Sequence, residues 1–303
     1  MFQRAVEISK AAIHHPGRIL PWVYRKGVVK PKRYIDGYLL PTYFQSPYGE
    51  PFSKVQLDVG DLWMPATTKG LPLDLRRDKA REPITTAAYQ EALLELNRLT
   101  PEACILEAGA NIGYYVLLAT NTMPRSTILA AELDEKNVSF LRKNIEENTI
   151  SDRVVLKHTV LNDGSKESVT VHESVASNCH TIRPDDDEWF SGRTYQARPE
   201  TADDLVEGVG VDPGNVHAIR MDVQGAEAEI LRGAEGILQN RPMVLNVEIH
   251  PQRLDDGELE FLLSILDEYS VRSVAQKDQQ FSAEELTNAS DYRYLEVVAT
   301  AGF

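Results

Sequence analysis

The sequence predicts an α/β fold in which a mainly parallel sheet carries helices on both faces. Short apolar segments typical of buried strands alternate with segments in which apolar residues recur every three or four positions. One such unit runs from CILEAG (104–109) through the helix-like YYVLLATNTM (114–123) to the strand-like TILAAE (127–132). Because a strand, a helix and a second strand in this order usually join neighbouring parallel strands, the alternation predicts a parallel sheet.

The helices and strands before and after this unit are predicted from the same apolar patterns. Residues 36–80 are rich in Pro and Gly, and their alternating segment KVQLDVGDLWMP predicts a strand or hairpin arm within a cap. Pro83 begins a helix with Tyr89, Leu93 and Leu96 on one face. Further helices are predicted from Asp134, at AEAEILRGAEGIL and over Leu259–Leu266. Further strands are predicted at RVVLKHTVL, ESVTVHES (as a hairpin arm or added edge strand), VHAIRMDV, MVLNVEI, VRSVAQ and RYLEVVATA. The polar, aperiodic segment 177–200 is predicted to be a loop.

The charge of the chain is unevenly distributed. The 303 residues carry a formal net charge of −14, which argues against a nucleic-acid-binding surface. Residues 1–35 nevertheless hold eight basic residues and one acidic residue, a net charge of +7. This basic arm is predicted to be a solvated tether, with peripheral contact to an anionic membrane or to a phosphate-bearing substrate as the alternative.

Two cysteines, Cys104 and Cys179, are too few for a disulfide framework or a four-cysteine zinc site. No apolar run reaches the roughly 18 residues of a membrane-spanning helix. The first residues also lack the apolar region of a secretory signal. We therefore expect a cytoplasmic protein, with the inner membrane face as the place of any peripheral contact.

A glycine-spaced turn joins the strand CILEAG to its helix. Such a turn lies at the carboxyl edge of a parallel sheet, where open α/β folds bind ligands. The spacing of Gly109 and Gly113 differs from the dinucleotide fingerprint, and no lysine follows Gly113 as a P-loop requires. What remains is Glu107-x-Gly109-x-x-x-Gly113, with Asn111 between the glycines and a second acid, Glu132, at the end of the next strand.

This pattern suits a ligand that has a cationic amino-acid tail and a ribose but no phosphate. The glycines let the backbone close around the tail, and Glu107 can lie near the ammonium group directly or through water. Glu132 can accept hydrogen bonds from both ribose hydroxyls. S-adenosylmethionine meets this description.

Beyond this turn, the sequence resembles the FkbM-type S-adenosylmethionine-dependent methyltransferases. The resemblance runs from about Arg81 to Pro251 and rests on three segments in the family's order: GANIGYY, TADDL and MDVQGAEAEILRGA. The chain departs from the family pattern by having Glu107 where Asp is more usual, Gln224 in place of Glu, and Leu133 in place of a proline.

The resemblance implies a class I methyltransferase fold, with a Rossmann-like, seven-stranded, mainly parallel sheet in residues 83–303. Residues 1–82 would form the basic N-terminal arm and cap. It further implies O-methyl transfer to a hydroxyl of a sugar, glycolipid or related secondary metabolite. By the same resemblance, the turn Leu161-Asn162-Asp163 should lie near the adenine, where Asn162 or Asp163 would accept a hydrogen bond from its amino group.

Three side chains at the ends of later strands are the catalytic candidates: Asp222, Glu248 and His250. A hydroxyl nucleophile is weak until its proton is accepted, and we expect Asp222 or His250 to be the base, with Glu248 orienting it or holding the acceptor. A Mg²⁺ ion bound by these three residues is an alternative that is not favoured, because one imidazole is unusual for that ion. Capping of the following helix is a structural alternative for Asp222.

The partners expected from the sequence are a small-molecule or lipid-linked sugar acceptor and no nucleic acid. The alternative function is a non-catalytic S-adenosylmethionine-binding scaffold that meets a membrane or a partner through its basic arm. Retention of Glu107, Glu132, Asp222 and Glu248 together favours the enzyme.

Overall fold

The computed structural model of the chain describes residues 44–45, 51–65, 71–174, 181–183, 190–276 and 279–302. The basic arm and Cys179 lie outside the described residues, so the predictions made for them stay predictions. Within the described part of the chain, no helix is both long and apolar enough to cross a membrane.

The described residues form strands and α-helices in alternation. The strands are β1 (Phe44–Gln45), β2 (Pro51–Leu57), β3 (Gly60–Pro65), β4 (Cys104–Ala108), β5 (Thr127–Glu132), β6 (Val154–His158), β7 (Val160–Leu161), β8 (Val169–Ser174), β9 (Phe190–Ala197), β10 (Pro199–Glu200), β11 (Val216–Met221), β12 (Val244–Ile249), β13 (Ser270–Gln276), β14 (Gln279–Phe281) and β15 (Leu295–Thr300). The α-helices are α1 (Leu71–Asp78), α2 (Pro83–Leu99), α3 (Tyr114–Thr122), α4 (Glu135–Glu147), α5 (Ala202–Glu207), α6 (Glu227–Arg232), α7 (Glu235–Gln239) and α8 (Asp256–Leu266). Short 3₁₀ segments occur at Pro213–Asn215, Pro251–Arg253 and Ala283–Asp291.

The main sheet has the strand order β6-β5-β4-β11-β12-β15-β13-β14. The strands from β6 to β12 are all parallel to their neighbours, whereas β15 runs antiparallel to both β12 and β13. The predicted mainly parallel α/β sheet is therefore confirmed. The short β14, paired antiparallel with β13, adds an eighth strand that the sequence analysis did not predict.

Each face of the sheet carries a hydrophobic core because its strands are apolar on both sides. One core joins the sheet to α2, α3, α4 and the β2–β3 hairpin, and it includes the fully buried Tyr89, Leu93 and Leu96 predicted for α2. The other core joins the opposite face to α5, α6, α7 and α8. The carboxyl ends of the parallel strands are thereby left open at one edge between two packed layers.

The alternating segment before α2 forms the predicted hairpin, β2–β3. Its main chain is tied to α4 by two asparagines. The Trp63 N–H donates to Asn144 Oδ1 at 2.6 Å, and Asn148 Nδ2 donates to the Asp61 carbonyl oxygen at 2.7 Å. Side-chain amides thus satisfy backbone groups at the edge of the hairpin, and they fix it to the sheet-flanking helix.

The prediction of a loop over residues 177–200 is wrong for its second half. Residues of this segment form β9, which pairs antiparallel with β8, and β10, which pairs with β7. The half-buried Tyr195 and Ala197 pack against a small cluster formed by Val160, Val169 and Val171. Pairing with β8 and this local contact stabilise a strand whose polar composition hides it in the sequence.

Two elements predicted as continuous are broken in the structure. RVVLKHTVL divides into β6 and β7 at Thr159, whose N–H donates to the Glu132 carbonyl oxygen at 3.0 Å. AEAEILRGAEGIL divides into α6 and α7 after Gly233, where a Cβ atom would lie 2.1 Å from the carbonyl oxygen of Asn162. The second break occurs where Gly233 meets the backbone of the turn that contains Asn162.

Candidate functional site

A cleft opens at the carboxyl edge of the sheet, where β4, β5 and β11 end side by side. Its empty volume, with its open mouth included, is about 620 Å³. Ile182 and Ile230 add apolar surface to walls that are made mainly by the turns after the strands. Of the site residues predicted from the sequence, those that line this strand-edge cleft are Gly109, Asn111, Glu132, Leu161 and Asp222.

The glycine turn after β4 lies close against the turn after β11. Gly109 adopts a left-handed φ of 77°, and a Cβ atom there would lie 2.2 Å from the carbonyl oxygen of Asp222. Its N–H donates to the carbonyl oxygen of Ala131 at 3.0 Å. Gly113 has a φ of 96°, and a Cβ atom there would lie 2.5 Å from Leu141 Cδ1. Gly109 therefore permits the approach of two turns in the cleft, while Gly113 permits α3 to pack on α4.

Replacing Gly109 with Ala is expected to lower the free energy of unfolding by about 2–4 kcal/mol, because the added methyl group collides with backbone atoms at an unfavourable φ. Gly210→Ala is the matched control, since Gly210 has a φ of 79° and its Cβ would meet nothing within 4 Å. The control should lose only about 1 kcal/mol. Urea denaturation measures both values, and equal losses would contradict the close approach of the two turns.

Glu132 is anchored at the end of β5 by backbone amides. The Asn111 N–H donates to Oε2 at 2.7 Å, and the Asp134 N–H donates to Oε1 at 2.8 Å. The residue is only 5% exposed. Burial raises the pKa of this carboxyl to about 7 against the opposing effect of these donors. A carboxylate fixed in this way keeps lone pairs for hydroxyl donors that enter the cleft.

Glu107 lies behind the glycine turn and does not line the cleft. Its Oε1 accepts a hydrogen bond from Arg220 Nη1 at 3.2 Å, and its Oε2 is buried without a hydrogen-bond partner. The Arg220 guanidinium in turn lies 4.1 Å from the centre of the Tyr115 ring. Burial raises the pKa of Glu107 to about 7, although Arg220 opposes this shift. Its predicted contact with the ammonium group of the ligand stays a prediction.

Only one of the three residues predicted to lie near adenine lines the cleft. Leu161 lines the cleft, but Asn162 and Asp163 do not. Asn162 is fully buried, and its Oδ1 accepts a hydrogen bond from the Gly164 N–H at 2.9 Å. Asp163 Oδ1 accepts from the Ser165 N–H at 2.9 Å. Both side chains thus stabilise their own turn, and their predicted role toward adenine stays untested.

Asp222, Glu248 and His250, here called the acid–histidine cluster, come together beyond the glycine turn. One nitrogen or oxygen atom from each lies within 4.8 Å of those of the others. Asp222 does not cap the following helix, because α6 begins only at Glu227 and has Ala226 as its N-cap without a side-chain hydrogen bond.

Each carboxylate oxygen of Asp222 instead has its own donor. Gln224 Nε2 donates to Oδ1 at 2.7 Å, and Arg81 Nη2 donates to Oδ2 at 2.8 Å. Gln224 itself has a left-handed φ of 55°. The side-chain amide of Gln224 therefore orients the Asp222 carboxylate where both residues line the cleft.

His250 is held between two carboxylates. Its Nδ1 lies 2.7 Å from Glu227 Oε1, and its Nε2 lies 3.3 Å from Glu248 Oε1. Burial lowers the pKa of this imidazole, but the charges and hydrogen bonds of Glu227 and Glu248 outweigh burial and raise it to about 10. The ring is therefore protonated at neutral pH and donates from both nitrogens, so it orients Glu248 and is not poised to accept a proton.

The two acids of the cluster differ in basicity. Burial pushes the pKa of Asp222 up, but Arg81, Arg220 and His250 outweigh burial and hold it below its usual value. Burial and the neighbouring charge of Asp222 raise the pKa of Glu248 to about 7. Two carboxyl groups with separated pKa values are a common arrangement where one accepts a proton and the other stays ionised.

A family model described as the Methyltransferase FkbM domain matches residues 107–276, which is more than half of the chain. The chain belongs to this family. The matched range contains the glycine turn, Glu132 and the acid–histidine cluster. The family resemblance seen in the sequence is confirmed, and the protein is an S-adenosylmethionine-dependent methyltransferase. No protein of curated function matches the chain.

Three solved structures with a similar arrangement are distant in sequence. A precorrin-6y C5,15-methyltransferase from Geobacter metallireducens GS-15 is 12% identical, with 71% of this chain and 87% of that chain covered and a TM-score of 0.38. An O-methyltransferase of provisional assignment from Klebsiella pneumoniae is 14% identical, with 73% and 88% covered and a TM-score of 0.40. TrmK from M. capricolum, in complex with S-adenosyl-homocysteine, is 9% identical, with 70% and 67% covered and a TM-score of 0.36. Similarities at this level carry no inference about the substrate of this chain.

The cofactor of the FkbM domain is S-adenosylmethionine, as the sequence predicted, and the residues around the cleft fit it. Glu132 is a buried carboxylate that faces the cleft with lone pairs to spare. Carboxylates also outnumber cations around the acid–histidine cluster: Glu82, Glu107, Asp222, Glu227, Glu248 and Glu296 against Arg81, Arg220 and His250. A ligand with sulfonium and ammonium groups would favour the ionised forms of these carboxyl groups.

The TADDL segment of the FkbM domain stabilises helices and does not line the cleft. Thr201 Oγ1 accepts a hydrogen bond from the Asp204 N–H at 2.9 Å and caps α5. The Asp203 carboxylate accepts from the N–H groups of Gly236 and Ile237 at the start of α7. These residues hold the layer of helices beneath the turn that contains Leu161.

Three residues that organise the site were not predicted to act in it: Arg81, Arg220 and Glu227. Arg220 carries a sequence signal, since it is the one charged residue between the apolar positions of VHAIRM in β11. A charge inside a buried strand requires a buried partner. Arg81 and Glu227 carry no comparable signal, because neither lies among the apolar positions of a buried strand.

Proposed function

We propose that this methyltransferase transfers its methyl group to a hydroxyl oxygen of a sugar, glycolipid or related small molecule. The observation that supports this proposal is Glu248, a buried carboxyl group with a pKa of about 7 next to the ionised Asp222. A hydroxyl needs a base to become an effective nucleophile, and a base with a pKa near the working pH is the most efficient. An uncharged amine has its own lone pair and needs no such group.

When bound, S-adenosylmethionine supplies an activated methyl group, whose C–S bond breaks as the new C–O bond forms. Glu248 accepts the proton of the acceptor hydroxyl. The protonated His250 donates to Glu248 and orients it, and Asp222 holds the acceptor hydroxyl at the mouth of the cleft. Most of the rate enhancement then comes from alignment of the oxygen with the methyl group.

The test is a transfer assay with tritiated methyl donor and a panel of free sugars, glycolipids, small amines and RNA. The proposal expects label in at least one hydroxyl-bearing sugar or glycolipid and none in amines or RNA. Label confined to amines or RNA would contradict it. Tight binding of the donor without transfer to any acceptor would instead favour the non-catalytic scaffold.

A peripheral contact of the basic arm with an anionic membrane is the alternative to the solvated tether predicted from the sequence, and it would bring the site near lipid-linked acceptors. About 1 kcal/mol per basic residue near an anionic surface is enough for residues 1–35, with their net charge of +7, to contribute measurably. If the arm makes this contact, deleting residues 1–33 is expected to weaken pelleting of the protein with phosphatidylserine vesicles. Pelleting that is unchanged by the deletion would leave the arm a tether.

A further inference from the structure

Arg81 reaches the acid–histidine cluster from a segment outside the matched range 107–276. It lies two residues before the start of α2, and only 12% of its side chain is exposed. Its Nη2 is 2.8 Å from Asp222 Oδ2 and 3.6 Å from Glu248 Oε2. The guanidinium group therefore lies between the two carboxylates that a divalent ion would have to bridge.

Several contacts fix the guanidinium in this position. Arg81 Nε lies 2.6 Å from Glu82 Oε1, and Tyr115 Oη donates to Glu82 Oε2 at 2.7 Å. Thr86 Oγ1 donates to the carbonyl oxygen of Arg81 at 2.7 Å. Glu82 has a left-handed φ of 42°, an unfavourable conformation for a residue with a side chain. Strain of this kind persists only where the surroundings hold it, and here they direct Arg81 into the site.

The third group of the cluster has no free ring nitrogen. Both ring nitrogens of His250 already lie within hydrogen-bonding distance of carboxylates, Glu227 and Glu248. A metal ligand must instead offer a lone pair from a neutral imidazole. The positions that would form a metal site are thus engaged by an arginine on one side and by Glu227 on the other.

We propose that Arg81 is the resident cation of this methyltransferase site: its guanidinium occupies the place of a divalent metal between Asp222 and Glu248 and holds both carboxylates toward the cleft. Arginine suits this role because its charge is permanent and its planar group can contact two carboxylates at once. Arg81 acts through the two acids and is a positioning residue.

Binding of Mn²⁺, followed by calorimetry, tests this proposal on the full-length protein. The native chain and the control Arg125→Met, which removes an exposed arginine that pairs with Glu102, are expected to show no Mn²⁺ binding at the acid–histidine cluster. Arg81→Met, which keeps the length of the side chain but removes its charge, should bind one Mn²⁺ at least 10-fold more tightly than the native chain. Adding Asp222→Asn to Arg81→Met should abolish that binding. The proposal would be overturned if the native chain bound Mn²⁺ with micromolar affinity and Asp222→Asn abolished that binding.

A second experiment, on methyl-transfer kinetics, distinguishes a positioning role of Arg81 from a general loss of folding. It rests on the proposed function because it needs an acceptor. Arg81→Met should lower kcat at least 10-fold with the affinity for S-adenosylhomocysteine changed less than 3-fold, and Arg81→Lys, which keeps the charge but not the planar group, should restore part of kcat. Equal loss in both variants would assign Arg81 a merely structural role and overturn the proposal. Because the Mn²⁺ measurement needs no acceptor, a wrong hydroxyl assignment would leave its outcome unaffected.

Discussion

Glu132→Ala weakens binding of S-adenosylhomocysteine at least 100-fold while the protein stays folded. The carboxylate of Glu132 is the acidic group fixed by backbone donors inside the strand-edge cleft. Hydrogen bonds from two ribose hydroxyls to the ionised carboxylate, the main form above its pKa of about 7, contribute roughly 1.5–3 kcal/mol each. A loss of about 3 kcal/mol corresponds to a factor of roughly 100 in the dissociation constant. Isothermal titration calorimetry measures it directly.

Two further variants test whether the loss of affinity depends on the Glu132 carboxylate itself. Glu146→Ala removes an exposed acid from α4 and should leave the affinity unchanged. Glu132→Gln keeps the shape but turns one oxygen into an NH₂ group that must face the N–H of Asn111 or Asp134, so it should weaken binding almost as much as Ala. Native affinity in Glu132→Gln would show that the carboxylate is not the ribose acceptor.

Glu248→Gln lowers kcat for methyl transfer by roughly 100-fold or more, as expected for loss of a general base. The native pH profile should show kcat rising as pH increases through about 7, because Glu248 accepts a proton only after its raised pKa is passed. In the variant this rise should disappear, since Gln does not ionise. Steady-state rates between acidic and basic pH, with an acceptor found in the screen, provide the measurement.

The control for the base is Glu260→Gln, an exposed acid on α8, which should keep the native rate and profile. S-adenosylhomocysteine affinity should change less than 3-fold in Glu248→Gln, because this residue does not line the strand-edge cleft. A variant that keeps both the native kcat and the rise near pH 7 would remove Glu248 from the proton transfer and return the role of base to Asp222.

The geometry of the strand-edge cleft was predictable because its sequence signals are local. Gly109, Asn111 and Glu132 lie at the ends of two strands joined by a single helix, and neighbouring parallel strands bring their carboxyl ends together. The Asn111–Glu132 hydrogen bond follows directly from that adjacency. The same reasoning correctly placed Asp222, Glu248 and His250 close to one another, since β11 and β12 are also neighbours.

The protonation states and ion pairs of the acid–histidine cluster could not be predicted, because they depend on contacts that sequence spacing does not reveal. Arg81 and Asp222 are 141 positions apart, and their ion pair exists only because α2 packs across the sheet. His250 was one of the two expected bases, with Asp222, but its contact with Glu227 on α6 raises its pKa and favours the protonated ring. Burial of Glu248 between charged groups likewise sets a pKa that composition alone does not indicate.

A crystal structure of the full-length protein with S-adenosylhomocysteine tests the central claim most directly. That claim is that the strand-edge cleft holds the cofactor with its sulfur directed at Asp222 and Glu248. We predict the ribose hydroxyls within hydrogen-bonding distance of Glu132, the adenine between Ile182, Leu161 and Ile230, and the sulfur nearer to Asp222 than to Glu132. Cofactor bound outside this cleft, or with its sulfur directed away from Asp222 and Glu248, would contradict the account.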